Sequence, residues 1–178
     1  KRFADVFDLA YGRFLELKAR EDQNRELTIQ NALERVRAKA LGMRASDDIG
    51  EVTGQLFHEF NELGIPLRRS GIWLIDVEPG TSEIWLTEPS GAILKGTLFE
   101  TSVMNERSDS RRYLEAFRAG ESHLHQDYSV AELIERVPFW IERMGIPFEY
   151  AGQDPSTIAD TLSAAYPSLA HVYHLFLP

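Results

Sequence analysis

The sequence predicts an α+β fold, and three observations predict it. Apolar residues recur at helical spacing with no Pro or Gly between residues 13 and 41, so the first third reads as helix. Three short β-rich runs follow, separated by Pro79-Gly80 and Pro89-Ser90-Gly91, which are hairpin-type turn signals. The remainder alternates short, well-punctuated helices with two further β-rich runs. A chain of 178 residues suits one domain of ordinary size, or one domain plus an appendage. The expected division is a connecting helix over 1–25 and a domain over 26–178.

The chain opens with two apolar series. Phe3, Phe7, Ala10, Phe14 and Leu17 recur at intervals of four and three. After a polar stretch over 21–26, Ile29, Leu33, Val36, Ala40 and Met43 repeat the pattern. Both average about 3.5 residues, the period of a coiled-coil seam. They are out of phase, because the first series extended predicts Asn24 and Thr28 as seam positions. The expectation is one nearly continuous helix with a stutter, forming a parallel homodimer through the second series. Each series also fits a helix face packed on its own domain.

Ser46 is expected to cap the next helix, with Asp47 and Asp48 placing negative charge in its first turn. Ile49, Val52, Leu56, Phe60 and Leu63 form its apolar face, and Gly64 and Pro66 end it. Residues 70–78, 83–88 and 92–102 then read as an antiparallel meander. A helix over 108–119 ends at Gly120, and 121–128 reads as a fourth strand. Ser129 and Glu132 stand at capping-box spacing, opening a helix that Pro138 is expected to kink or split. Asp154-Pro155 reads as an N-cap with Pro at the first helical position, and that helix should end near Tyr166-Pro167. Residues 170–177 read as a last strand with no evident neighbour. That strand, and a start at Lys1 rather than Met, make a piece of a longer chain the expectation.

Composition removes several classes of function. With no Cys there is no disulfide framework, no Cys-based zinc site, no thiol nucleophile and no thioether attachment. No apolar run approaches the roughly 20 residues of a membrane span, so a soluble segment without membrane contact is expected, and the lack of Cys is compatible with a reducing cytoplasm. The formal charge is −9, and all of it falls on residues 70–178, because basic and acidic residues balance over 1–69. Such a surface repels phosphate backbones, so nucleic acid is not an expected partner. The same acid excess also serves solubility.

No catalytic motif survives inspection. His58-Glu59 begins like a zinc-protease helix, but position 62 is Glu rather than His, and a surface His beside a surface Glu is the plainer account. Residues 91–97 share letters with a P-loop in the wrong order and in a hairpin strand. His123 and His125 should project from one strand face, and His171 and His174 lie three apart. The four could hold a metal only if the fold gathered them, and no metal or cofactor is expected. No catalytic residue is assigned.

The aromatic residues carry more. Trp73, Trp85 and Phe99 fall on the three strands of the meander, and Tyr113, Phe117 and Trp140 on the helices that follow. A sheet with helices on both faces would set some of these around an internal cavity, with Arg111 and Arg112 at its mouth to meet an anionic group. They also suit an ordinary core with a solvated Arg pair.

The stretch over 25–48, RELTIQNALERVRAKALGMRASDD, followed by EVTGQLFHEFNELGI, resembles the opening of GAF-like sensory modules in bacterial signalling proteins, histidine kinases in particular. The matching residues are those over 32–38, then Ala40, Met43, Ser46, Asp47, Ile49, Glu51 and Val52. SGIWLIDVE and SEIWLTEPSG resemble the first hairpin of such modules, and ELIERVPFWIERMG fits a later helix. Phe14-Leu15-Glu16-Leu17 resembles the exit helix of a preceding module. The resemblance implies an antiparallel sheet between helical layers, in a dimeric cytoplasmic input module that acts on an effector outside this segment. A small ligand of such a module is then expected in the aromatic cavity, near Trp73, Trp85, Phe99, Arg111, Arg112, Tyr113, Phe117 and Trp140. A GAF-shaped dimerisation scaffold with a filled cavity is the alternative, and a small enzyme on this fold is the weaker one.

Overall fold

Residues 2–76, 80–94 and 96–176 are described by the computed structural model. Helix α1 runs unbroken over Arg2–Leu41, about 60 Å at 1.5 Å per residue. The polar stretch over 21–26 causes no break in it. Every described side chain from Phe3 to Thr28 is exposed, and burial begins at Ile29. The N-terminal part of α1 therefore stands clear of the body.

A 3₁₀ turn over Ser46–Asp48 leads into α2 (Ile49–Glu62). This corrects the expected cap: Ser46 makes no capping bond, and the Asp48 carboxylate turns back to accept the N–H groups of Arg44 and Ala45 at 2.6 and 3.0 Å. Two ion pairs join α1 and α2. Arg35 donates through Nε and Nη2 to both oxygens of Glu59 at 2.7 and 2.6 Å, and Gln55 donates to Glu59 at 2.7 Å. Lys39 pairs with Glu51 at 2.5 Å. Glu59 is thus buried rather than the surface residue expected beside His58. The Arg35 hydrogen bonds outweigh its burial and hold its carboxyl below the usual range.

The meander consists of β1 (Gly71–Ile75), β2 (Thr81–Leu86) and β3 (Thr97–Glu100), antiparallel in that order. Trp73 pairs with Ile84 and Ile84 with Thr97, so these share one face. Trp85 lies on the other face, where α2 covers it. Small residues allow that approach. A Cβ on Gly50 would stand 3.0 Å from the Trp85 and Ile93 side chains, and one on Gly96 2.4 Å from the indole. The third strand is shorter than expected. Gly91 (φ +86°) makes the turn, Ile93 forms only an isolated bridge to Thr87, and regular pairing resumes at Thr97. Val77, Glu78, Pro79, Lys95 and Leu177 lie outside the described residues.

After a 3₁₀ turn over Thr101–Glu106 come α3 (Ser108–Arg118), β4 (His123–Tyr128), α4 (Val130–Glu142), α5 (Pro155–Ala165) and β5 (Ala170–Leu175). The capping box at Ser129 and Glu132 forms, with Ser129 N–H donating to the Glu132 carboxylate at 2.7 Å. Asp154 caps α5 by accepting from the N–H groups of Ser156 and Thr157. Pro138 does not split α4. The cost of one missing i−4 bond is offset where the flanking Leu133 and Val137 are packed in the core.

The architecture is α+β, as the sequence predicts, but the strands divide into two sheets. β5 pairs antiparallel with β4 in a sheet of its own, with Leu124 opposite His174 and Asp127 opposite His171. The last strand therefore finds its neighbour inside the chain. The main core lies between the Trp73 face of the meander, the β4–β5 sheet and helices α3 to α5, around Met104, Leu114, Leu133, Val137 and Leu162. No helix among the described residues is long and apolar enough to cross a membrane.

Candidate functional site

Five elements converge on Tyr113. It stands on α3 one turn after Asp109, so both side chains leave the same helix face. The Tyr113 and Tyr128 hydroxyls are 2.8 Å apart, which links α3 to β4. Its ring packs edge-on to Trp73 of β1 at 6.0 Å and against His174 of β5 at 4.3 Å. From α4, Arg136 Nη2 donates to the Tyr113 hydroxyl at 3.3 Å.

Arg136 is fully buried. Its Nη1 lies 2.6 Å from Asp109 Oδ2, and its guanidinium carbon lies 3.9 Å from the Tyr128 ring centroid and 4.6 Å from that of Trp140. A buried cation is tolerated only with a counter-charge and polar or π partners, and these residues supply all three. Burial pushes the Asp109 carboxyl up, but Arg136, Arg107 and the Ser110 N–H outweigh it and hold it below its ordinary range. Burial raises the Tyr113 phenol, so it remains a proton donor. Burial first and the Arg136 charge second push His174 down to about 4, leaving a neutral imidazole at pH 7.

Several buried polar atoms here lack a hydrogen-bond partner: Arg136 Nε, Trp73 Nε1, His174 Nε2 and Ser110 Oγ. Two of these side chains, Arg136 and Trp73, donate only, so the cluster favours a group that accepts. An open groove of about 450 Å³ runs over Asp109 and Tyr128, with Arg112, His125, Asp127 and Glu132 among its walls. Asp109 and Tyr128 are shared by the groove and by Arg136. The arrangement can bind and orient a polar group.

The sequence-predicted aromatics are partly brought together. Trp73, Phe99 and Tyr113 form one contact set, with Trp73 and Phe99 centroids 6.0 Å apart. Trp140 joins it through Arg136. Trp85 is on the opposite sheet face beneath α2, and Phe117 packs on Phe176 at 6.2 Å. Arg112 is exposed on the groove wall, whereas Arg111 donates to the Asn105 carbonyl at 2.6 Å. Sequence reasoning missed Arg136, Asp109, Tyr128 and His174. One signal was available for Arg136: a charged residue standing on the apolar face of a helix between Leu133 and Trp140.

The predicted seam is divided. Ile29 and Val36 are half-buried along the part of α1 that packs on α2, with Ala32 buried among them, and Met43 is half-buried but lies beyond the helix, which ends at Leu41. Leu33 and Ala40 point away and are exposed. Comparison with protein-family models, curated proteins and solved structures finds no match to this chain.

Proposed function

We propose that the chain is a non-catalytic, GAF-like sensory and dimerisation module of a signalling protein of the histidine-kinase type. In this reading α1 pairs with the same helix of a second copy and carries a change in the α/β body to an effector domain. The observation that carries it is the unpartnered apolar stripe of α1: Phe3, Phe7, Phe14 and Leu17 are 93, 68, 57 and 44% exposed, and Leu33 is 58% exposed. A stripe of this size on a helix standing clear of its own domain calls for a partner. Its 3.5-residue period selects a second copy of the same helix, because knobs-into-holes packing needs the same repeat on both strands. The change sensed is the occupancy of the groove above Arg136.

The second reading is a ligand-free dimerisation scaffold. It is favoured by the packing of Trp73 on Phe99 and Tyr113, which fills the space between the meander and α3. Sedimentation tests dimerisation, and native mass spectrometry separates the two readings. The wild type is expected to be a dimer at micromolar concentration, and Phe14→Asp and Leu33→Asp monomers with unchanged circular dichroism. Both side chains are exposed, so neither variant disturbs the α1–α2 packing as a change at Val36 would. A wild-type monomer at high micromolar concentration removes the proposal. A bound small molecule in native spectra favours sensing over scaffolding.

A further inference from the structure

The outward face of the β4–β5 sheet carries a second cluster, separate from the buried one and independent of the sensory reading. His125 and Asp127 leave β4 on the same exposed side, and the register sets Asp127 opposite His171 and His125 opposite Tyr173. One oxygen, Asp127 Oδ1, lies 2.6 Å from His171 Nδ1 and 2.9 Å from His125 Nε2. Ligand atoms of the three residues all lie within 4.8 Å of one another. The His125 ring stacks on Tyr173 at 4.3 Å with 10° between planes, and on His171 at 5.9 Å. Stacking restrains the imidazole, so the donors are held close by the sheet rather than by chance rotamers.

We propose that His125, Asp127 and His171 form a binding site for a divalent first-row transition ion, Zn2+ in particular. Two imidazole nitrogens and one carboxylate oxygen suit Zn2+, Co2+, Ni2+ or Cu2+ and not the hard ions Mg2+ and Ca2+, which take oxygen ligands. Tetrahedral zinc with bonds of about 2.0–2.1 Å needs donors roughly 3.3 Å apart. Two of the present separations, 2.6 and 2.9 Å from Asp127 Oδ1, are shorter than that, so both imidazoles move away from the carboxylate to admit the ion. Coordination needs the imidazole lone pairs free of protons, so binding weakens in acid. Three protein ligands leave a fourth position for water or another donor. His125 and Asp127 also wall the groove that Arg112 and Tyr128 line, which gives an entering donor group access to the ion.

This departs from the expectation that the chain holds no metal. The four His noted in the sequence do not act together: His174 turns into the core, and His123 stands beside Ser122 at 3.1 Å. The third ligand is an Asp, and the set exists only across the strand pair. No linear spacing reveals it.

The test is a Co2+ titration of the chelator-treated 178-residue chain, read by the visible bands of four-coordinate Co2+, with Zn2+ as competitor. The expected result is one ion per chain, displaced by Zn2+. His125→Ala and His171→Ala should each weaken binding on the order of 100-fold, and His58→Ala and His123→Ala should leave it unchanged. Zn2+-induced shifts of the His125 and His171 ring resonances in the wild type keep the test valid should a variant lose its fold. Wild type that binds neither ion at millimolar concentration overturns the proposal. So does binding that survives both His125→Ala and His171→Ala, or ring shifts confined to other His.

Discussion

Replacing Arg136 by Met removes the buried charge and keeps most of the side-chain volume. The substitution leaves Asp109 without the guanidinium 2.6 Å away, and takes a donor from Tyr113 and a cation from the faces of Tyr128 and Trp140. Removing one partner of a buried pair costs on the order of 3–5 kcal/mol, because the other charge stays behind. Loss of the two ring contacts adds about 0.5–2 kcal/mol each. Two features pull the other way. The Asp109 side chain keeps 21% exposure and a second cation, Arg107, at 3.3 Å. Met also removes Nε, a buried donor without a hydrogen-bond partner. The net is a loss of about 3 kcal/mol. With a urea slope of about 1–3 kcal/mol per molar, the unfolding midpoint should fall by roughly 1–3 M, measured together by fluorescence and circular dichroism. Adding Asp109→Asn should recover part of the loss, because the stranded carboxylate is gone. A single variant within about 1 kcal/mol of wild type, or a double variant whose cost is the plain sum, refutes the account of the cluster.

Four more outcomes are expected. The folded His174 titrates near 4 against an ordinary 6.5, so the unfolded chain binds the extra proton between those values. Stability is therefore whole above about pH 6.5 and falls by up to about 3 kcal/mol as the pH drops through 4. His174→Phe should flatten that window in pH-dependent unfolding, and an unchanged slope would contradict it. Gly96→Ala places a Cβ 2.4 Å from the Trp85 indole and should cost about 1–3 kcal/mol in thermal unfolding. Gly12→Ala, which meets nothing within 4 Å in an exposed stretch of α1, should gain up to about 1 kcal/mol of helix propensity. Glu59→Gln weakens the pairing with Arg35 and should speed amide exchange over 29–43 while leaving β4 and β5 unchanged.

The elements were largely legible because their causes are local. A helix is written in spacings of three and four, and a cap such as Ser129 or Asp154 bonds groups two or three residues ahead. Ser46 and Asp48 show the limit of that legibility: two good capping residues stand within one turn, yet neither side chain caps α2, and the 3₁₀ turn aims the Asp48 carboxylate back at the N–H groups of Arg44 and Ala45. The seam residues of α1 show another. Their period was plain, yet whether Val36 meets α2 or a second α1 depends on where α2 lies.

What the sequence determined by itself is the α+β class, the long first helix, the meander and the punctuation of the later helices. All of these follow from backbone preferences and apolar periods read within a few residues. The tertiary structure alone decided that the strands form two sheets, that Arg136 meets Asp109 and Tyr113, and that His171 meets Asp127 from 44 positions away. Those contacts arise from register and from the need of a buried charge for partners. Each joins residues whose own neighbours along the chain carry no trace of the other.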